Sequence, residues 1–161
     1  TTEIYTLSLH DALPIYMNCY QIVLPKKNEV QMYKIEKQNY GYKLTFGGQI
    51  GLEEMSVWVN EAKAALEGQS GSFSVFVDMR ELLPLAPESQ QEMTKGQALF
   101  KQKGMARSVV ILNNALTTMQ FKRLAKESGI YEWERYIDAS KTANWEEAGI
   151  AWLTQGTDPD L

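Results

Sequence analysis

The sequence predicts an α/β fold: a mixed sheet that opens with an N-terminal antiparallel hairpin and continues as alternating helices and strands. Three observations predict it. Two β-rich stretches, MYKIEKQ and YKLTF, flank Asn39-Tyr40-Gly41, where Asn and Gly suit a turn. Helical periodicities then alternate with short runs of β-branched and aromatic residues. The most continuous apolar run, SVVIL at 108–112, has the character of a strand buried on both faces of a parallel sheet.

The elements follow in order. The hairpin covers 32–45, and Gly47-Gly48, with Gly51 nearby, is read as a turn. Leu52, Met55, Val59, Ala62 and Leu66 recur at helical spacing and form one apolar stripe, which Gly68 stops. FSVFVD at 73–78 is a strand with a charged end, followed by a loop over 82–86. Pro87 suits the first turn of a helix running to Lys103, and Gly104 ends it. After the 108–112 strand and Asn113-Asn114, Thr117-x-x-Gln120 has the spacing of a capping box for a helix over 118–128, closed by Gly129. A last strand over 131–137 leads to a helix carrying Trp145, Ala148 and Trp152. The order is ββαβαβαβα. Met55, Met93 and Met119 fall at core-facing helix positions, as fillers of irregular gaps.

The beginning of the chain reads differently. Residues 1–15, TTEIYTLSLHDALPI, resemble the in-frame translation of a common sequencing-library adapter, and the adapter's next base begins the codon of Tyr16. Residues 1–16 are therefore set apart as adapter-derived, and with them His10, the only histidine. Residues 17–31 form an undecided leader that leans non-native. Met17 and Met32 are alternative starts, and Met32 is favoured because the patterned sequence begins there. A single domain over 32–153 and a polar tail over 154–161, expected to fray, complete the organisation.

From Met32 onward the chain has 14 Lys and Arg against 17 Asp and Glu, a formal net of −3. A balance that mild argues neither for nucleic acid nor for an anionic membrane as a partner. No apolar run approaches the roughly 20 residues of a membrane span. Cys19 is the only cysteine and lies in the leader, so the domain has no disulfide to form, in keeping with a cytoplasmic location. Without histidine or cysteine the domain has no Ser-His-Asp triad, Cys-His dyad or ordinary zinc site. Neither GxxxxGK[ST] nor GxGxxG occurs. The expectation is a protein without cofactor, metal or catalytic residues, working as a monomer or homodimer.

Candidate sites follow from the topology. Open α/β sheets bind ligands outside the carboxyl ends of parallel strands. Those ends offer Asp78 and Arg80 after one strand, and Asn113, Asn114 and Thr117 after the next. In a polar cleft Arg80 would take a carboxylate or phosphate, and free N–H groups near Thr117 would hold an anion. The plainer alternative pairs Asp78 with Arg80 and uses Asn113 and Thr117 as helix caps. Asp78 and Glu81 are too loosely spaced to be read as an acid/base pair. Lys122, Arg123 and Lys126, with Lys101, Lys103 and Arg107 elsewhere, read as solvated charge. Tyr131, Trp133, Tyr136, Trp145 and Trp152 read as packing.

Three segments together, FVDMRELLPLAPESQQEM, ARSVVILNNALTTMQFKRLAKESGI and ERYIDASKTANWEEAGIAWL, resemble the STAS-like superfamily, the fold of anti-sigma-factor antagonists. Small bacterial STAS/SEC14-like proteins are the nearest in appearance, over about 32–153. The resemblance implies a domain that acts by binding another protein. Classical STAS domains carry a phosphorylated serine in an Asp-Ser-Ser-Gly type motif at the start of the helix after the central strand. Here that stretch is Leu85-Ala86-Pro87-Glu88-Ser89-Gln90, which lacks the motif. Ser89 is its nearest hydroxyl, and a phosphate there would meet the charge of Glu88. A small-ligand or lipid carrier, implied by the SEC14-like side, and a small enzyme using Asp78 and Arg80 are the alternatives. The cue for protein binding would be an exposed apolar patch on the helix after Pro87 and its neighbour from Thr117.

Overall fold

The structure, a computed structural model, describes residues 32–159. The adapter-like segment, the leader with Met17 and Cys19, and residues 160–161 lie outside the described residues. Five strands and four helices follow one another: β1 Tyr33–Gln38, β2 Gly41–Gly48, α1 Leu52–Ala65, β3 Phe73–Leu82, α2 Pro87–Gln102, β4 Met105–Leu112, α3 Ala115–Ser128, β5 Glu134–Asp138 and α4 Trp145–Gln155. The sheet order is β1-β2-β3-β4-β5. β1 and β2 pair antiparallel and every later pair is parallel, so the fold is the mixed α/β sheet that the alternation predicts.

Alternation along β3 builds two cores. Val75, Val77 and Met79 join Met55, Trp58, Met93, Phe100, Phe121 and Leu124, so α1, α2 and α3 cover one face. Phe76 joins Val109, Ile111, Ile137, Trp152 and Leu153, so α4 covers the other. β4 feeds both cores, which is why SVVIL is apolar throughout.

Several local readings change. Gly47 and Gly48 are not a separate turn; they end β2, whose register shifts between Thr45 and Gly47. In α1 Trp58 is buried while Leu52 is exposed and Val59 only partly covered. The buried stripe is therefore Met55, Trp58, Ala62 and Leu66, because the larger indole displaces the neighbouring valine from the centre of the face. α3 starts three residues earlier than the capping-box spacing predicts. Asn114 is its cap, and its Oδ1 accepts from the N–H groups of Leu116 and Thr117 at 3.0 and 3.1 Å.

Thr117 is fully buried and donates to the Leu82 carbonyl at 3.4 Å. Gln120 holds the backbone N–H and carbonyl of Leu85 at 2.9 and 2.8 Å. Neither residue is then available to cap. Residues 131–133 form one 3-10 turn, and the strand begins at Glu134. Among the described residues of the tail, Asp158 accepts from Arg135 Nη2 at 2.8 Å.

Candidate functional site

The sheet divides the cleft that the strand ends predict. Asp78 and Arg80 point to the α4 face, since they alternate with Val77 and Met79. Thr117 lies in the helical layer on the opposite face, beside Phe121. Asn113 is exposed between them. Arg80 donates Nε and Nη2 to the two Asp78 oxygens, each at 2.9 Å, and its guanidinium carbon stands 4.1 Å from the Trp145 ring centroid.

Burial alone would raise the Asp78 carboxyl. The Arg80 hydrogen bonds and charge outweigh it and hold Asp78 below the usual carboxylate range. Such a group is a poor base near neutrality, and Arg80 already commits Nε and Nη2 to Asp78 and lies against Trp145. The N–H groups near Thr117 are taken by Asn114, so the anion reading fails there as well. Glu81 is exposed and turned away from Asp78 by the strand alternation.

Ser89 is 1% exposed, and its hydroxyl donates to the Ile50 carbonyl at 3.3 Å. A phosphate has no room there while α2 packs beside Ile50. Of the basic residues on α3, Lys122 and Lys126 lie 5.3 and 4.9 Å from the rings of Tyr136 and Tyr131. Arg123 pairs with Glu127 at 3.0 Å and also bonds Gln90. These cations line a helix face that already has aromatic and acidic neighbours.

The carboxyl edge of the sheet instead presents apolar side chains. Leu83, Leu116 and Met119 are 51%, 62% and 71% exposed. Met119 is therefore not a core residue: Thr117, Phe121 and Leu124 take the buried face of α3, and Met119 stands on the other side. Leu116 and Met119 are one helical turn apart. Leu83 is fixed near them, because its N–H donates to the Gly48 carbonyl at 2.9 Å and Leu82 receives Thr117. Apart from these three residues, a groove of about 360 Å³ lies between α2 and α3, lined by Pro87, Gln90, Thr94, Arg123 and Glu127.

One interior feature escapes sequence reasoning. A cavity of about 30 Å³ lies under α1 and α2, bounded by Trp58, Met93, Gln97, Ser108, Phe121 and Glu134. Trp58 Nε1 and Gln97 Oε1 make no hydrogen bond to the protein. A space of that size takes one or two waters; ligand pockets run to several hundred Å³. The cavity thus has no room for a lipid. Glu134 is 4% exposed and accepts from Ser108 Oγ at 2.9 Å. The signal for it was the alternation of ERYID, which puts Glu134 on the same inward face as Tyr136. Among the described residues no cluster of three metal-ligating side chains occurs, and no helix is long and apolar enough to cross a membrane.

Compared with known proteins, the chain matches no family model, no curated protein and no solved structure.

Proposed function

We propose that the domain is a non-catalytic protein-binding module, in the manner its STAS-like resemblance implies, and that Leu83, Leu116 and Met119 form its docking surface. The observation that supports this reading is the joint exposure of these three large apolar side chains at one edge of a tied-down framework. Their mountings are rigid: a capped helix, a buried threonine and a glutamine clamp on the preceding loop. Met119 adds a side chain that adapts its shape to a partner.

The occupant that fits is a protein segment whose own apolar side chains cover Leu83, Leu116 and Met119. A cytoplasmic setting belongs to the same proposal, because residues 32–161 contain no cysteine and need no oxidising compartment.

The test is a three-way capture with the full chain: wild type, L116D/M119D, and V57D as a control on another exposed apolar position. The expected result is a partner retained by wild type and V57D, and weakened at least roughly tenfold by the double substitution with thermal stability unchanged. A wild-type dimer dissolved by L116D/M119D would make a second copy of the chain the occupant. Identical retention by all three proteins would overturn the reading.

A further inference from the structure

Glu134 begins β5 inside the core, with one carboxylate oxygen on Ser108 and the other on the Tyr136 hydroxyl. The same hydroxyl lies 3.2 Å from the carbonyl oxygen of Phe121, in the middle of α3. A phenol carries one proton and here faces two acceptors. A neutral Glu134 brings its own proton and donates it to the Tyr136 oxygen, which leaves the phenol proton for Phe121. An ionised Glu134 only accepts, so it takes the phenol proton and the Phe121 carbonyl loses it.

We infer that Glu134 is a proton-operated latch between β5 and α3: protonated, it directs Tyr136 onto the Phe121 carbonyl; ionised, it releases that tie. Glu134 lines both the core cavity and a surface pocket of about 120 Å³ formed with Lys122, Tyr131, Arg135 and Tyr136, so protons have a short route to it. Burial pushes its pKa up to about 7, against the bonds from Tyr136 and Ser108 that favour the anion. Burial, and then the charge of Glu134, raise Tyr136, so the phenol keeps its proton while Glu134 changes state.

The neighbours are accounted for element by element. α3 presents Lys122, 5.3 Å from the Tyr136 ring, and the 3-10 turn presents Tyr131, whose ring centroid is 6.3 Å from that of Tyr136. β5 itself carries Arg135, which bonds the Glu134 carbonyl at 3.1 Å and is paired with Asp158. β4 offers the uncharged Ser108. α2 offers Gln97 to the cavity wall and Lys101, whose Nζ is 3.9 Å from the Trp133 ring.

The folded-state pKa lies above the ordinary 4.5, so the contribution of Glu134 is complete below about pH 4.5 and is lost as pH rises through about 7. α3 also carries Leu116 and Met119, so the latch would modulate docking; that consequence alone rests on the docking reading.

The experiment follows the wild-type chain, E134Q and Y136F by carboxyl NMR titration and by amide exchange in α3 at pH 6 and pH 8, corrected for intrinsic rates. Wild type is expected to titrate Glu134 near 7 and to lose α3 protection by roughly three- to tenfold between the two pH values, the worth of one hydrogen bond. E134Q keeps its protection at both, and Y136F lacks the tie at both. A Glu134 titration below about pH 5, where an unperturbed carboxylate titrates, or equal α3 protection at pH 6 and pH 8 in wild type, would overturn the latch. No partner enters these measurements, so a failed latch and a failed docking surface are told apart. The wild-type readings decide even if E134Q does not fold.

Discussion

Gly96→Ala is expected to destabilise the domain by about 2 kcal/mol, although the same change inside a helix ordinarily stabilises by about 1 kcal/mol. The reversal has a steric cause. A Cβ at Gly96 would stand 2.1 and 2.2 Å from Cζ3 and Cη2 of Trp58. Trp58 is 1% exposed and packs against Phe46 and Phe100, with ring centroids 5.2 and 6.4 Å away, so the indole can retreat only by giving up these contacts or entering the cavity of about 30 Å³ beside it. Overpacking of this kind costs roughly 1–3 kcal/mol and sometimes more. Chemical denaturation with the slope held constant measures it, and Tm falls by roughly 5–10 °C for a domain of this size. Trp58→Leu in the Gly96→Ala background should recover part of the loss, since the two changes relieve one contact. A neutral or stabilised Gly96→Ala would mean that the indole does not lie across α2.

Gly41→Ala is expected to cost about 3 kcal/mol, from backbone strain together with a broken hydrogen bond. Gly41 has φ +139°, a conformation that side chains rarely allow. Its Cβ would also sit 2.2 Å from the Ser74 carbonyl oxygen and 2.9 Å from the Ser74 nitrogen. Here the obstacle is backbone, and no rotamer relieves it. β3 must move away from β2, and the Ser74 N–H to Tyr40 carbonyl bond of 2.8 Å is lost at the point where the parallel pairing begins. Urea unfolding checks the magnitude; a loss under about 1 kcal/mol, less than the strain alone requires, would contradict this hairpin geometry.

Both glycines show where sequence reading runs out. Gly41 is legible as a turn residue, because Asn39-Tyr40-Gly41 separates two β-rich runs and little else suits that break. Gly96 carries no local sign: it stands inside a helical run, and its reason is an indole 38 positions earlier in the chain. The element order was legible because period and punctuation are local properties. Which face of each helix turns inward was less so. In α3 two patterns compete, and Thr117, Phe121 and Leu124 win because Thr117 bonds Leu82 from within the core. That choice turns Met119 outward.

The predicted strand-end cleft fails for a related reason. Asp78 and Thr117 are close along the sheet edge, yet strand alternation and helix placement put them on different faces. Glu134 was hidden because nothing local marks a charged residue within a strand as buried until β5 is seen lying against β4 with α3 above it.

Asp78, Arg80, Asn114, Thr117 and Ser89 each make at least one side-chain hydrogen bond to a neighbour in the chain. The apolar edge is different, because Leu116 and Met119 leave most of their surface uncovered while the helix that carries them is tied down. Oxidative footprinting of methionine tests the docking proposal most directly. In the isolated chain Met119 is expected to oxidise quickly, while Met55 and Met93, at 0% and 2% exposure, stay intact as internal controls. In the captured complex Met119 should become as protected as they are. Equal oxidation of Met119 in the free and captured chain would contradict a docking surface at this edge.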